Sequence, residues 1–260
     1  MKTRPEFSRG RLPQEKFIQQ AACVCTLALV AMSLGCRGET ARQLLKRYEN
    51  PFAEKRRQFK NIAQMLPPPG SLKGATAANL SPKPVYDAKS KSYNTEIVMY
   101  DELLDPDVES HGNDRLDLRL SGDLMDGILW TGPKNPMSES VLDESAGDLE
   151  QTLKKALGFR YLVVLRPADF VAPVAVDEST YKPGMADIEG FIVDMQSNRV
   201  VGSFRFTAQS ASKVEYSYKP DQSRESQLEG FAYSSLYTEA RVKAGHLLEQ
   251  TTGGQFVLDR

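Results

Sequence analysis

Residues 161–165 read Tyr-Leu-Val-Val-Leu, an unbroken apolar run. A strand with one wet face alternates polar and apolar residues, so a continuous run of this length suits a central strand covered on both faces. The rest of the chain must therefore supply neighbouring strands and layers to cover them. Just before the run, Leu142, Ala146, Leu149, Leu153 and Leu157 mark one face of a helix that Gly158 stops. After it, Ile188 and Ile192, then Val200, Phe204 and Phe206, belong to two further strands, with the polar Gln196-Ser197-Asn198 as the hairpin turn between them. Val214, Tyr216 and Tyr218 continue the meander. A last long helix runs over about 224–250 with Ser223 as its cap; Gly253-Gly254 breaks it, and 255–258 form a terminal edge strand.

Upstream, Ile97-Val98-Met99-Tyr100 has strand composition, and Leu116, Leu118 and Leu120 alternate with Asp117 and Arg119 at period two. Leu124, Met125, Ile128, Leu129 and Trp130 read as a short helix closed by Thr131-Gly132-Pro133. This order predicts an α+β fold, with an antiparallel or mixed sheet and helices packed on one face. The globular part spans 94–260.

Two segments precede it. Residues 36–66 carry a helical pattern interrupted at Asn50-Pro51, which predicts two short helices or one kinked helix, the second starting at Pro51 under an Asn50 cap. Lys55, Arg56, Arg57 and Lys60 form a basic cluster there. It reads as a solvated helix face or as a contact with anionic headgroups. Pro67-Pro68-Pro69-Gly70 ends the segment, and 67–93, rich in Pro, Ser, Ala, Gly and Lys without periodicity, reads as a flexible linker that would hold the domain clear of a membrane.

Residues 1–35 form a leader. Lys2, Arg4, Arg9, Arg11 and Lys16 precede an apolar run from Ala21 to Leu34, which is shorter than the roughly 20 residues of a spanning helix. It closes on Ser33-Leu34-Gly35-Cys36. This segment resembles the lipobox of bacterial lipoproteins, although Ser33 and Leu34 stand in the reverse of the preferred order. The resemblance implies cleavage before Cys36 and a diacylglycerol on its thiol. The alternative is an ordinary secretory signal or an uncleaved anchor. All three cysteines (Cys23, Cys25, Cys36) lie in or at the end of this leader. A mature domain cut there has no disulfide, no cysteine metal site and no cysteine nucleophile. It would carry 28 basic against 32 acidic residues, a net charge of −4, which gives no electrostatic case for nucleic acid. Arg37 follows Cys36, so the aspartate that retains some lipoproteins in the inner membrane is absent, and this favours an outer-membrane destination.

The chemistry-bearing residues are few. Of the two histidines, His111 falls in a polar loop and His246 near a helix C-terminus, where the helix dipole favours it. No Gly-x-Ser-x-Gly elbow, Gly-x-x-x-x-Gly-Lys loop or Gly-x-Gly-x-x-Gly turn occurs. Asp105, Asp107, Glu109 and Asp114 alternate like calcium ligands, but Ser110 and Leu116 stand where an EF-hand needs glycine and glutamate. Asp187, Glu189 and Asp194 read as the wet face of a strand. Tyr216, Tyr218, Phe231, Tyr233 and Tyr237 form an aromatic concentration that suits core packing or a protein-binding surface. No catalytic residue, cofactor site or metal site is assigned.

The helix, strand and hairpin order is faintly similar to small envelope modules such as the amino-terminal domain of the Tol translocation protein and the core of curli-secretion lipoproteins. In those families a hairpin follows a strand much as 191–193 and 201–205 follow Val163 here. The likeness implies architecture only. The expectation is a non-enzymatic lipoprotein, lipidated at Cys36, that acts as a binding or assembly subunit at the cell envelope with an unidentified protein partner. The alternatives are an envelope hydrolase using carboxylates or His246, and a weak cation or small-ligand binder.

Overall fold

In the computed structural model, which describes residues 39–76, 79–87, 92–106, 122–213 and 223–257, the 161–165 run opens a long inner strand. The described elements are α1 (Ala41–Met65), β1 (Val85–Asp87), β2 (Ser92–Tyr93), β3 (Thr95–Met99), α2 (Tyr100–Leu104), α3 (Asp123–Trp130), α4 (Glu139–Leu142), α5 (Leu149–Leu157), β4 (Tyr161–Val171), β5 (Val174–Ala175), β6 (Tyr181–Lys182), β7 (Met185–Asp194), β8 (Arg199–Gln209), α6 (Arg224–Thr252) and β9 (Gln255–Val257). The main sheet has the order β3-β4-β7-β8. β3 runs parallel to β4, and β4, β7 and β8 are antiparallel, so the sheet is mixed and the fold is α+β.

Helices cover both faces of this sheet, not one. Side chains alternate across a strand, so Val163 and Leu165 of β4, with Ile188 and Ile192 of β7, point to one side. There they meet Leu236, Ala240, Ala244 and Leu248 of α6. Leu162, Val164, Phe191 and Val193 point to the other side, against Phe52 and Phe59 of α1, Ile128 of α3 and Leu153 of α5. The one-face arrangement fails because the N-terminal helix, expected as a separate anchor segment, is part of the second layer. Leu44, Phe52, Phe59 and Ile62 of α1 are fully buried.

α1 is a single helix with Pro51 inside it. Its cap is Thr40, not Asn50: the Thr40 hydroxyl accepts from the Gln43 N–H, and the Gln43 side chain accepts from the Thr40 N–H at 3.2 Å. Proline removes one ladder hydrogen bond, but burial of the same helix face on both sides of it holds the two halves in one element. The helix expected over 142–157 is instead split into α4 and α5. Gly147 lies between them at φ +46, and Glu39 and Ala41 hydrogen-bond across to Ala146 and Glu144. The chain entering α1 thus competes for the backbone groups a continuous helix would have used.

The linker between α1 and β3 is docked where it is described. Thr76 makes a two-residue bridge with Ser203 on the outer edge of β8. β1 and β2 pair with each other, and β1 pairs in parallel with the terminal strand β9. The last helix starts on the Ser223 hydroxyl and ends at Gly253, whose φ of +63 allows the turn into β9. The expected strands at 116–120 and 214–218 lie outside the described residues.

Candidate functional site

The most concentrated polar chemistry lies on the α1 face of the sheet, at the end away from the apolar cluster. β4 and β7 pair so that Arg166 stands opposite Glu189, and β7 and β8 pair so that Glu189 stands opposite Arg205. Glu189 is therefore flanked by an arginine on either side. Arg166 and Glu189 are both buried, at 4% and 0% side-chain exposure. The Arg166 Nη2 and Nε donate to Glu189 Oε2 at 2.7 and 3.2 Å. The guanidinium carbon also lies 5.2 Å from the Tyr100 ring centre and 5.1 Å from that of Phe191. Aromatic faces are favourable neighbours for a desolvated cation.

Glu189 has a second task. Its carboxylate accepts the Leu72 N–H at 2.9 Å and the Gly70 N–H at 3.2 Å. The carbonyls of the same two residues accept from Arg205 Nη1, at 2.9 Å from Leu72 and 3.2 Å from Gly70. Arg205 is in turn fixed by Asp187, with Nε to Oδ1 at 3.0 Å and Nη2 to Oδ2 at 2.5 Å. An acid and a base on two strands thus hold both the donors and the acceptors of the extended segment 70–72. The contact reads backbone and not side chains.

The charges follow from these partners. Burial pushes the Glu189 carboxyl up, but the Leu72 N–H, the Arg166 guanidinium and the Gly70 N–H together outweigh it and hold the group below the usual carboxylate range. The Arg205 hydrogen bonds hold Asp187 down, and Asp187 in turn raises Arg205. Both carboxylates are held as anions at neutral pH, and each already accepts hydrogen bonds on both oxygens. This cluster is a latch, and it corrects the reading of Glu189 as part of a wet strand face, while Asp187 stays partly exposed at the edge of the cluster. Asp194, likewise buried, pairs with Arg160 at 2.8 Å. The sequence carried a signal for this: Arg166 directly follows the apolar run, and Arg205 interrupts Phe204 and Phe206.

Two grooves flank this layer system. One, of about 330 Å³, runs between α1 and the end of α3 and is lined by Lys46, Glu49, Ala53, Arg56 and Trp130 among others. The other, of about 810 Å³, lies between the end of β8 and α6 and is lined by Ser210, Ser234, Ser235, Thr238 and Phe231 among others. Three of its hydroxyls are engaged within the protein: Ser210 accepts from the Gly184 N–H, Ser235 accepts from the Ala211 N–H and Thr238 donates to the Ser234 carbonyl.

The remaining candidates disperse. His246 is on the exposed side of α6 and lines neither groove. Cys36, His111, Asp107, Glu109, Asp114, Tyr216 and Tyr218 lie outside the described residues. Asp105 is the C-cap of α2. Among the described residues no group of three or more His, Cys, Asp or Glu could hold a metal ion, and no described helix is long and apolar enough to cross a membrane. The basic cluster of α1 splits up. Burial depresses the pKa of Lys55, Arg56 donates to the Ile128 carbonyl and to Thr131 Oγ1, Arg57 faces Glu54 at 3.9 Å, and Lys60 is exposed. Tyr233 and Tyr237 pack together on α6 with ring centres 6.1 Å apart.

No family model matches the chain, and no curated protein matches it. Among solved structures, the PelC dodecamer from Paraburkholderia phytofirmans is similar at 16% identity over 46% of this chain and 66% of that one, with a TM-score of 0.21. A point variant of the same dodecamer is similar at 14% identity over 37% and 63% of the two chains, with a TM-score of 0.19. The chain thus spans just under two thirds of the structures it matches, and likeness at this level carries no argument about its fold or its role.

Proposed function

We propose that this chain is an exported lipoprotein, held at the membrane by a lipid on Cys36, and that its folded domain is a non-enzymatic binding or assembly subunit of the cell envelope. The observation that carries this reading is the distance between anchor and fold. Thr40 caps a helix whose inner face is core, and Thr40 is only four residues beyond Cys36. Four peptide steps span at most about 14 Å. A lipid at Cys36 would therefore hold the folded body at the bilayer surface, and the docked segment at 67–76 adds no free reach. Such an arrangement suits a component that works on something at the membrane.

The basic leader, its short apolar core and Gly35-Cys36 support export and acylation. The test is purification of the full chain from mildly solubilised membranes, with mass spectrometry of its N-terminal peptide and of all retained proteins. A diacylated Cys36 and a stoichiometric partner are the expected results. A peptide reading intact through Gly35-Cys36 would refute the anchor, and a solitary protein would refute the assembly role.

A further inference from the structure

We infer that one side of α1, the stripe Lys46, Ala53, Arg56 and Lys60, together with Trp130 across the adjoining groove, is the face on which the domain lies against an anionic bilayer surface. This rests on the reading of Cys36 as lipidated. Positions 46, 53, 56 and 60 share one side of a helix by the 3.6-residue period. Lys46, Ala53, Arg56 and Trp130 line the same groove, and Lys60 extends the stripe by about one turn.

Lys46 and Lys60 differ from the cations at the helix start, while Arg56 between them is engaged by the Ile128 carbonyl and Thr131 Oγ1 and Glu49 lies on the same side of the helix. At the helix start, Arg42 is paired with Glu139 at 2.5 Å and Asp143 at 3.1 Å, and Arg47 with Glu150 at 2.8 Å and Glu39 at 3.2 Å. These cations are neutralised within the protein. Lys46 and Lys60 make no ion pair with any described residue, and both are exposed. Glu49 is the one carboxylate lining the groove. Trp130 is half-buried, packed on the core by one side and open to the groove on the other. Tryptophan concentrates at the headgroup level of membranes, and lysines are drawn to anionic headgroups within a Debye length.

The tether converts this chemistry into an orientation. With the helix start held within about 14 Å of the lipid, and the stripe about 9 to 30 Å further along the axis, a tilt about the anchored end brings the whole stripe to the surface. An upright helix leaves Lys46 and Lys60 in water, away from the anionic surface.

Trp130 is the only tryptophan in the chain, so its emission reports this face alone. The full lipidated chain is reconstituted into vesicles of phosphatidylcholine with or without phosphatidylglycerol, some carrying brominated acyl chains. The expected result is quenching of Trp130 by the brominated lipid in the anionic vesicles, weakened by salt. The Lys46→Gln/Lys60→Gln pair should lower the ratio of docked to undocked protein about 25-fold, since each surface lysine is worth about fivefold in partition. Emission that is unquenched, or equal in neutral and anionic vesicles, while the N-terminal peptide carries its lipid, overturns the orientation alone. An unlipidated peptide overturns the anchor and the orientation together.

Discussion

Replacing Arg166 by methionine isolates what the buried latch contributes. The substitution keeps an unbranched apolar stem against Tyr100 and Phe191 and removes only the charge. Glu189 then loses the Nη2 and Nε donors at 2.7 and 3.2 Å and keeps the two N–H groups of Leu72 and Gly70. An uncompensated buried carboxylate costs about 3–5 kcal/mol at neutral pH, a large part of the roughly 5–15 kcal/mol that holds a domain together. The pH dependence carries the sharper test. In the native protein Glu189 is held below its unfolded value, so its contribution is present above that value, near pH 4.3–4.5, and lost as pH falls through the lower folded value. Without Arg166, only the Leu72 and Gly70 N–H groups oppose burial, so the folded value should rise. The variant's deficit should then shrink as pH falls from about 7 to 5, because a neutral carboxylic acid tolerates the site. Urea unfolding followed by Trp130 emission at both pH values measures this. A deficit under about 1 kcal/mol at pH 7, the range of an exposed pair, or one that does not change with pH, would refute the assignment of a buried, ionised latch.

Four further outcomes follow from the packing. Gly190→Ala places a Cβ 2.2 Å from Phe204 Cζ, and because that ring is fully buried the change should lower stability by about 1–3 kcal/mol in thermal or urea unfolding. Phe59→Ala should cost about 3–5 kcal/mol, and a chain beginning at residue 67 should not fold by near-ultraviolet circular dichroism, because α1 supplies one side of the core. Arg205→Gln should free the 70–72 segment, so that trypsin cuts after Lys73, which follows the clamped Leu72, faster than in the native chain; equal rates would show that the guanidinium does not hold the segment.

The elements that could be read from sequence are those whose signal is local. The run at 161–165, the helix of 224–250 with Ser223 and Gly253, and the hairpin around 196–198 each carry their own caps, periods or breakers, and the structure places each of them. The failures share a different cause. Pro67-Pro68-Pro69-Gly70 is rich in residues that forbid regular structure, and that property says nothing about where an irregular segment is held. What holds it is Glu189 and Arg205, more than a hundred residues away, and what holds those is pairing register. The split between α4 and α5 has the same origin, since residues 39–41 take backbone partners at 144–146 that local periodicity assigns to a helix.

Asp187, Glu189 and Asp194 show most clearly what was missing. The alternation of Asp187 and Glu189 with Ile188 and Ile192 is a true strand signal, and one face of β7 does pack in an apolar layer. Alternation separates two faces, but it does not say that the polar one is wet. Deciding that requires the neighbours: Arg166 and Arg205 stand directly opposite Glu189, one on each flanking strand. Once a strand order is proposed, oppositely charged residues that fall on one face in register become evidence that the face is covered, because an exposed strand gains little from such pairs and a buried one cannot tolerate a lone charge. The same reasoning applies to the anchor. Residues 36–66 read as a separate helical segment because the partners of its apolar face are not visible in the sequence; that face is core, so a lipid on Cys36, as proposed, would bring the folded domain, and with it Lys46 and Lys60, to the membrane surface.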